Sequence, residues 1–486
     1  MAAEKSIIKN ATFNTVYKLL NILFPLITSV YLSRVLGPTY LGRVNYAHSI
    51  MSYFLVFASL GIPTYGMREI ARAGNSIERR NKVFSELFLL NFIATLICST
   101  AFLIMIASVA SIRTNLTLYI CTGLTLFLNV FNIDWFYSGQ EEYVYITVRS
   151  FIVKVLSIIL IFTFVRKQSD YIIYALITSI ATTGNYIWNV INLRGRVRFT
   201  FSKLSFGQHM KPVFVLLVTL LATDLYNQVD VTMIGTMCSD TDVGYYSNGV
   251  KIIKIVYSIT TAMSATILPR LCLLYKEKNK KKYITLFWKT LHFVLLIALP
   301  CSIGLFLVAK PVVLLMFGKE FAATATVIRV LSPIIVIISF SYLIGSVVLT
   351  STENEHCLLI ATILGAVVNM LMNYLLIMKL GIVGAAISSV IGEFVVAFVH
   401  AYFGWKYVKK RVDFKYIWSV LIAIFLLCCV VIFINNYVVN TFVSLGGSVF
   451  LGGVVYLSTL LFLKNSTALY VWDMIAKKIH FSQNSN

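Results

Sequence analysis

Charge is scarce in this sequence, and acidic charge scarcer still. Of 486 residues, 12% are charged, and 41 Lys and Arg stand against only 19 Asp and Glu. A soluble chain of this size carries about 25% charged residues, so a large soluble core beneath a charged surface is excluded. Cysteine is sparse as well: eight residues without a Cys-x-x-Cys spacing argue against structural disulfides and thiolate metal sites. The adjacent Cys428 and Cys429 cannot adopt the usual disulfide geometry. No GxxxxGK[ST], HExxH or GxSxG stretch occurs, which weakens ATPase, zinc-protease and hydrolase readings.

What the chain does contain is apolar sequence, 59% of its residues. It comes in blocks of about 20, the length a helix needs to cross roughly 30 Å of hydrocarbon. These fall near 12–33, 45–64, 83–109, 116–137, 143–165, 171–191, 212–234, 248–268, 287–309, 323–349, 357–378, 382–403, 416–435 and 443–463. The expectation is an all-α polytopic membrane protein of about fourteen transmembrane helices. The first block has no small-residue cleavage site and reads as a retained helix, not a signal peptide.

The net charge of +22 resides mostly between apolar blocks, so it reads as topology and not as a nucleic-acid surface. The basic segments Arg68–Lys82, Arg194–Lys211, Arg270–Lys282 and Lys406–Lys415 all fall on one side of such a chain. The loops Ser111–Thr114, Cys238–Val243 and Asn435–Asn440, on the other side, are poor in charge. Because Lys and Arg are retained in the cytoplasm, both termini are expected there. Anionic membrane lipids are the natural partners of the basic loops.

A pattern recurs about 200 residues apart. Tyr31-Leu32-Ser33-Arg34-Val35-Leu36-Gly37-Pro38, followed by Leu41-Gly42 and Asn45-Tyr46, is echoed by Val231–Gly235 followed by Val243-Gly244-Tyr245-Tyr246. A weaker echo, Leu380–Ala386, opens the twelfth block. Two pseudo-symmetric six-helix lobes are expected, residues 1–200 and 201–405, around a central cavity. Helices 13 and 14 and a short cytoplasmic tail would fill 406–486. An even number of helices per lobe makes the repeats parallel.

A charged group within the membrane needs water, a partner or a function. Lys154, inside a run of Val, Leu and Ile, is the sharpest anomaly. Five residues before it, and so on a different face, stands Arg149. Basic groups facing an aqueous cavity suit a phosphate or diphosphate. Lys251 and Lys254 share a face at the start of the eighth helix, facing the cavity or snorkelling to the interface. Arg34 ends the first helix, and Arg270, after Pro269, closes the eighth. At the cytoplasmic end of the second helix, Glu69 and Arg72 have the spacing of a simple i,i+3 pair beside Arg68.

Among the acids, Asp224 shares a face with Asn227 and Gln228, a pattern that also suits a structural hydrogen-bond network. Asp230 lies near the expected helix end, where an exposed acid costs little. Asp134 precedes Trp135-Phe136-Tyr137, a cluster that equally suits an interfacial aromatic belt. Glu393 is the best lone acid for cation coupling or a cross-lobe ion pair, with a purely structural role as the alternative.

Four stretches resemble the polysaccharide-export branch of the multidrug/oligosaccharidyl-lipid/polysaccharide flippase superfamily. They are Tyr31–Pro38 running into Gly42–Tyr46, Phe57–Ile70, Asp134–Tyr143 and Val243–Ser247. The resemblance extends over about residues 8–465. It implies two lobes, alternating access, and a flippase rather than an enzyme. The cargo it implies is an undecaprenyl-diphosphate-linked oligosaccharide repeat unit, moved to the outer leaflet of the bacterial cytoplasmic (inner) membrane. Polymerisation into capsule, O-antigen or exopolysaccharide would follow, with a polysaccharide polymerase and glycosyltransferases as partners. No cofactor is implied, although some relatives are thought to use a Na+ or H+ gradient.

On this resemblance Arg34, Arg68, Arg149, Lys154, Lys251, Lys254 and Arg270 are cavity residues for the diphosphate and sugars. Glu69, Asp134, Asp224, Asp230 and Glu393 are candidates for ion coupling or lobe–lobe pairing. A lipid II flippase and a cation-coupled drug exporter are alternatives within the superfamily. An acid-free first helix argues against the exporter. A membrane-embedded polymerase or glycosyltransferase would typically carry a large outer loop, and the loops here are short.

Overall fold

The computed structural model describes the backbone of residues 2–201, 204–409 and 414–473, and side chains from Phe24 onward apart from 414 and 415. The expected C-terminal tail after 473 and parts of the basic segments Arg194–Lys211 and Lys406–Lys415 lie outside the described residues. Among the described residues there is no strand. Among the described residues ten helices are long and apolar enough to cross a membrane, or eleven if one bent pair is a single span. The chain packs as two compact units, Met1–Gly244 and Tyr245–Asn486.

The first unit opens with α1 (Ala2–Ser59), which holds both of the first two expected spans. The turn expected between them shrinks to one residue, Gly37, at φ 67° and ψ 176°. Only glycine enters that region without strain, and the following Pro38 disfavours a helical conformation at the residue before it. Gly61, at φ 76°, then starts α2 (Ile62–Ala73), with Pro63 in the first turn where no N–H is needed. Next come α3 (Ile77–Ser108), the single turn α4 (Ala110–Arg113) and α5 (Leu116–Phe127). They are followed by α6 (Asp134–Gly139), α7 (Tyr143–Phe164), α8 (Tyr171–Leu193) and α9 (Gly207–Met237).

Two expectations change here. The basic stretch 68–82 is not a loop, because α2 and α3 claim all of it except Gly74–Ser76. Its Arg68, Glu69 and Arg72 sit on an amphipathic helix whose other face buries Tyr65 and Ile70. The block 116–137 is broken by a short 3-10 turn at Asn129–Phe131, so Asp134 begins a new helix instead of lying near the end of an old one. A carboxylate at that positive helix end is favourable.

Between membrane helices there is little hydrophobic driving force, so close packing and polar contacts hold them together. One buried cluster gathers Val44, Ala47, Phe102 and Leu126. A second gathers Tyr65, Phe84, Trp135, Phe136 and Tyr137. A Cβ on Gly66 would lie 2.5 Å from the Trp135 ring, and one on Gly139 would lie 2.8 Å from the Met67 carbonyl oxygen. Thus α2 and α6 approach at distances that only glycine permits.

The second half of the chain continues with α10 (Asp240–Ala265), α11 (Leu268–Lys276) and α12 (Lys280–Met316). Arg270 does not close the eighth span. Pro269 occupies the first turn of α11, so Arg270 lies near its start. The expected block 323–349 bends by 40° between α13 (Thr324–Leu331) and the helix that begins with α14 (Ile334–Tyr342), and runs on as a π-helix over Leu343–Leu349. Pro333 at the bend lacks an N–H to continue the ladder. After α15 (His356–Leu380), Gly381 at φ 57° reverses the chain into α16 (Ile382–Val408). The final pair, α17 (Phe414–Tyr437) and α18 (Thr441–Phe462), is joined through Asn440, whose side chain caps α18 at the N–H groups of Phe442 and Val443.

Candidate functional site

Among the described residues of the first unit, polar groups that bear on a site gather in three places. The longest is the seam that α1 forms with α9 and the start of α10, here the α1–α9 seam. Arg43 Nε donates to Asp240 Oδ2 at 2.7 Å, and the Thr39 and Thr241 hydroxyls meet at 2.8 Å. Thr232 bonds both Ser49 (3.1 Å) and Tyr53 (3.0 Å), and Ser52 donates to Asp224 at 3.0 Å. The helices touch through glycine. A Cβ on Gly42 would stand 1.7 Å from the Asp240 carbonyl oxygen, one on Gly244 2.1 Å from that of Pro38, and one on Gly235 2.1 Å from the Tyr46 ring. Asp230 is not an exposed acid at a helix end: α9 runs on to Met237 and buries it.

The second place surrounds Arg149, which is buried. Its Nη2 donates to both Asp134 oxygens, at 2.9 and 3.1 Å, and its Nε to Asn185 at 3.1 Å, while Nη1 reaches Asn189. Asn189 also donates to Asp134, at 2.6 Å. A buried guanidinium is tolerable only when paired and fully hydrogen-bonded, and this one is. Asp134 is therefore paired within its own unit. Arg149 also borders a groove of about 620 Å3 with Val148, Ile152 and Trp188. Lys154 stands apart from it, half-buried, with Nζ 5.7 Å from the centre of the Phe24 ring. The structure does not bring Arg149 and Lys154 together.

The third place was not singled out from the sequence. Glu86 is fully buried. It accepts from the Ser205 N–H at 2.6 Å and from Gln208 at 3.3 Å, and it meets His209 Nε2 at 2.8 Å. His209 Nδ1 in turn meets the Tyr65 hydroxyl at 2.9 Å. A carboxylate only accepts, so Nε2 carries a hydrogen, and Nδ1 meets the Tyr65 hydroxyl as acceptor in the neutral ring or as donor in the imidazolium. Above this chain opens a cavity of about 540 Å3 bordered by Arg68, Glu69, Arg72, Arg79 and Lys82. Glu69 pairs with Arg72 at 2.9 Å, the i,i+3 contact the spacing suggested. The signal for Glu86 was present: an acid inside an apolar block, the same criterion that picked out Lys154.

Arg34 is exposed on α1. In the second unit, Lys251 donates to Asn248 at 3.4 Å, Lys254 is exposed on α10, and Tyr246 meets Ser389 of α16 at 2.8 Å. Glu393 is half-buried on α16, within electrostatic reach of Tyr257. Arg270 lies in a different cavity, beside Lys281, Lys282 and Lys289. Among the described residues no group of three His, Cys, Asp or Glu side chains is placed to hold a metal ion.

Membrane-length helices, glycine-tight seams and polar side chains paired within the helix bundle define an all-α membrane protein. The lipid II flippase MurJ in its inward closed conformation superposes with a TM-score of 0.77 at 14% identity, over 96% of this chain and all of that one. An inward-facing multidrug resistance MATE transporter superposes at 0.66 and 18% identity, over 82% of this chain and 98% of that one. The sequence profile of the polysaccharide biosynthesis protein family matches residues 7–274, and that of the MatE family residues 216–375. The chain belongs to the polysaccharide biosynthesis protein family. A protein of Escherichia coli (strain K12) named for O-antigen transport is 24% identical over 346 residues, 70% of this chain and 82% of that protein. The capsular polysaccharide biosynthesis protein CapF of Staphylococcus aureus is 23% identical over 409 residues, 82% of this chain and 98% of that protein.

Proposed function

We propose that this protein is a membrane flippase of polysaccharide biosynthesis, and that its cargo is an undecaprenyl-diphosphate-linked oligosaccharide repeat unit. The α1–α9 seam carries the reading. It lines up hydroxyls, two carboxylates and an arginine along membrane-length helices and closes them backbone to backbone through glycine. A seam whose polar groups are satisfied when shut, and suited to sugar hydroxyls when parted, fits alternating access. The diphosphate and sugars cannot cross hydrocarbon unaided, whereas the polyprenyl tail can stay in lipid. The task needs no covalent chemistry.

Fourteen crossings follow if the first span of the ten is divided at Gly37 and the bent pair, Leu116–Phe131 and Tyr171–Leu193 each count as one. The basic segments then face the cytoplasm with both termini, in a bacterial inner membrane. The repeats define lobes 1–200 and 201–405, with α9 belonging to the second by sequence while packing on α1 in this state. Lys154 is the cation we assign to the diphosphate, with Arg34, Lys251 and Lys254 as further basic groups along its route. Arg149, already neutralised, shapes α7 and α8 instead. Glu393 and Asp224 are the acids we assign to gradient coupling.

The test is leaflet transfer of a fluorescent undecaprenyl-diphosphate oligosaccharide in proteoliposomes, with lipid II as competitor. Transfer that falls about tenfold in Lys154→Ala, the worth of one charge-assisted contact, is expected. Transfer of lipid II alone, or of neither lipid under H+ and Na+ gradients, would overturn the assignment.

A further inference from the structure

The second unit holds a basic cavity of about 590 Å3 that the transport reading does not use. Arg270 enters it from α11, and Lys281, Lys282 and Lys289 from α12. Its cations differ in one respect from those around Arg68. There, Glu69 and Glu86 border the cavity and compensate the charge. Here, among the described residues, no carboxylate borders the cavity, and no ion pair involves any of the four cations. The spacing is deliberate: Lys282, Leu286 and Lys289 succeed one another at i, i+4 and i+7 on one face of α12, opposite Arg270 and Leu274 at i and i+4 on α11.

The surroundings are those of a membrane interface. Leu274 and Leu286 line the same cavity as the cations. Lys289 lies nine residues into α12, about 13 Å along a helix whose body is apolar enough to span the bilayer. Its ammonium group rests 5.7 Å from the centre of the Tyr470 ring, an aromatic placed as at a headgroup boundary. Basic head and apolar shoulder in one cavity match a lipid phosphodiester with its acyl chains better than a free ion.

We propose that this cavity is a binding site for an anionic phospholipid, with Arg270, Lys281 and Lys282 on the headgroup phosphate and Lys289 with Tyr470 at the glycerol level. The site is separate from the transported cargo and does not depend on what that cargo is.

The full-length protein, stripped of lipid in detergent, would be offered equimolar phosphatidylglycerol and phosphatidylethanolamine and its retained lipid counted by native mass spectrometry. Preferential retention of phosphatidylglycerol is expected. The preference should fall about tenfold or more in K281Q/K282Q/K289Q, since each basic group near an anionic surface contributes roughly fivefold. A control, K310Q/K319Q/K379Q, removes equal exposed charge outside the cavity and its basic segment and should leave the preference intact. Circular dichroism would confirm that both variants are folded. An unchanged preference in the first variant, an equal loss in both, or displacement of the lipid by millimolar inorganic phosphate or by undecaprenyl diphosphate would each overturn the proposal.

Discussion

Arg149 shows how a residue selected for its charge acquires a different role once its neighbours are known. In the sequence it is a cation inside an apolar block; in the fold it is one corner of a network with Asp134, Asn185 and Asn189. Removing one partner of a buried pair costs about 3 kcal/mol, because the other charge remains in low dielectric. Asp134→Ala should therefore lower the melting midpoint in detergent sharply. Asp134→Leu with Arg149→Met should recover most of the loss, since an apolar pair leaves no charge uncompensated. An equally unstable double variant would show that the pair matters by more than charge balance. Glu86→Leu should also destabilise, by about 2–3 kcal/mol, by stranding the Ser205 N–H and the His209 ring, as read from the same melting midpoint. That Lys154 and Arg149 are charged and membrane-embedded was legible in the sequence. That Arg149 is paired with Asp134 was not, because Asp134 and Asn189 reach Arg149 only through the break before α6 and the return of α8.

At the scale of elements, the four stretches that carry the family resemblance pack in pairs. Phe57–Ile70 meets Asp134–Tyr143 where Gly66 faces Trp135 and Gly139 faces Met67. Tyr31–Tyr46 meets the start of Val243–Ser247 where Gly244 faces Pro38, and Gly42 faces Asp240 just ahead of that stretch. Glycine-rich motifs distant in sequence are thus the two sides of close contacts, which explains their composition. Periodicity and block length predicted the helices and the break near Gly37. The 3-10 turn at 129–131 and the Pro333 bend, which they did not, are single local events inside long apolar runs. The seam makes its own prediction. Thr39→Cys with Thr241→Cys, in a background where exposed Cys238, Cys272 and Cys429 are Ser, should oxidise readily, because the native hydroxyls are 2.8 Å apart. Adding Gly42→Ala should cut the cross-link to background on a reducing-sensitive gel shift, since a Cβ 1.7 Å from the Asp240 carbonyl oxygen cannot be accommodated without parting the helices. Undiminished cross-linking would mean the seam tolerates the methyl group and is looser than described.

For the whole molecule, the composition alone excluded a soluble protein and the blocks of apolar sequence gave an all-helical membrane architecture. Where the chain divides is harder to read from repeats: a boundary expected at 200/201 would separate α9 from α1, whereas α9 packs on α1 within the first compact unit. The central claim is that a lipid-linked oligosaccharide crosses the membrane when the α1–α9 seam parts. Its most direct test is leaflet transfer of undecaprenyl-diphosphate oligosaccharide by the Thr39→Cys/Thr241→Cys protein in proteoliposomes, before oxidation, after it, and after reduction. The account predicts transfer, arrest and recovery in that order. Transfer that continues unchanged through the oxidised state, with the cross-link confirmed, would contradict it.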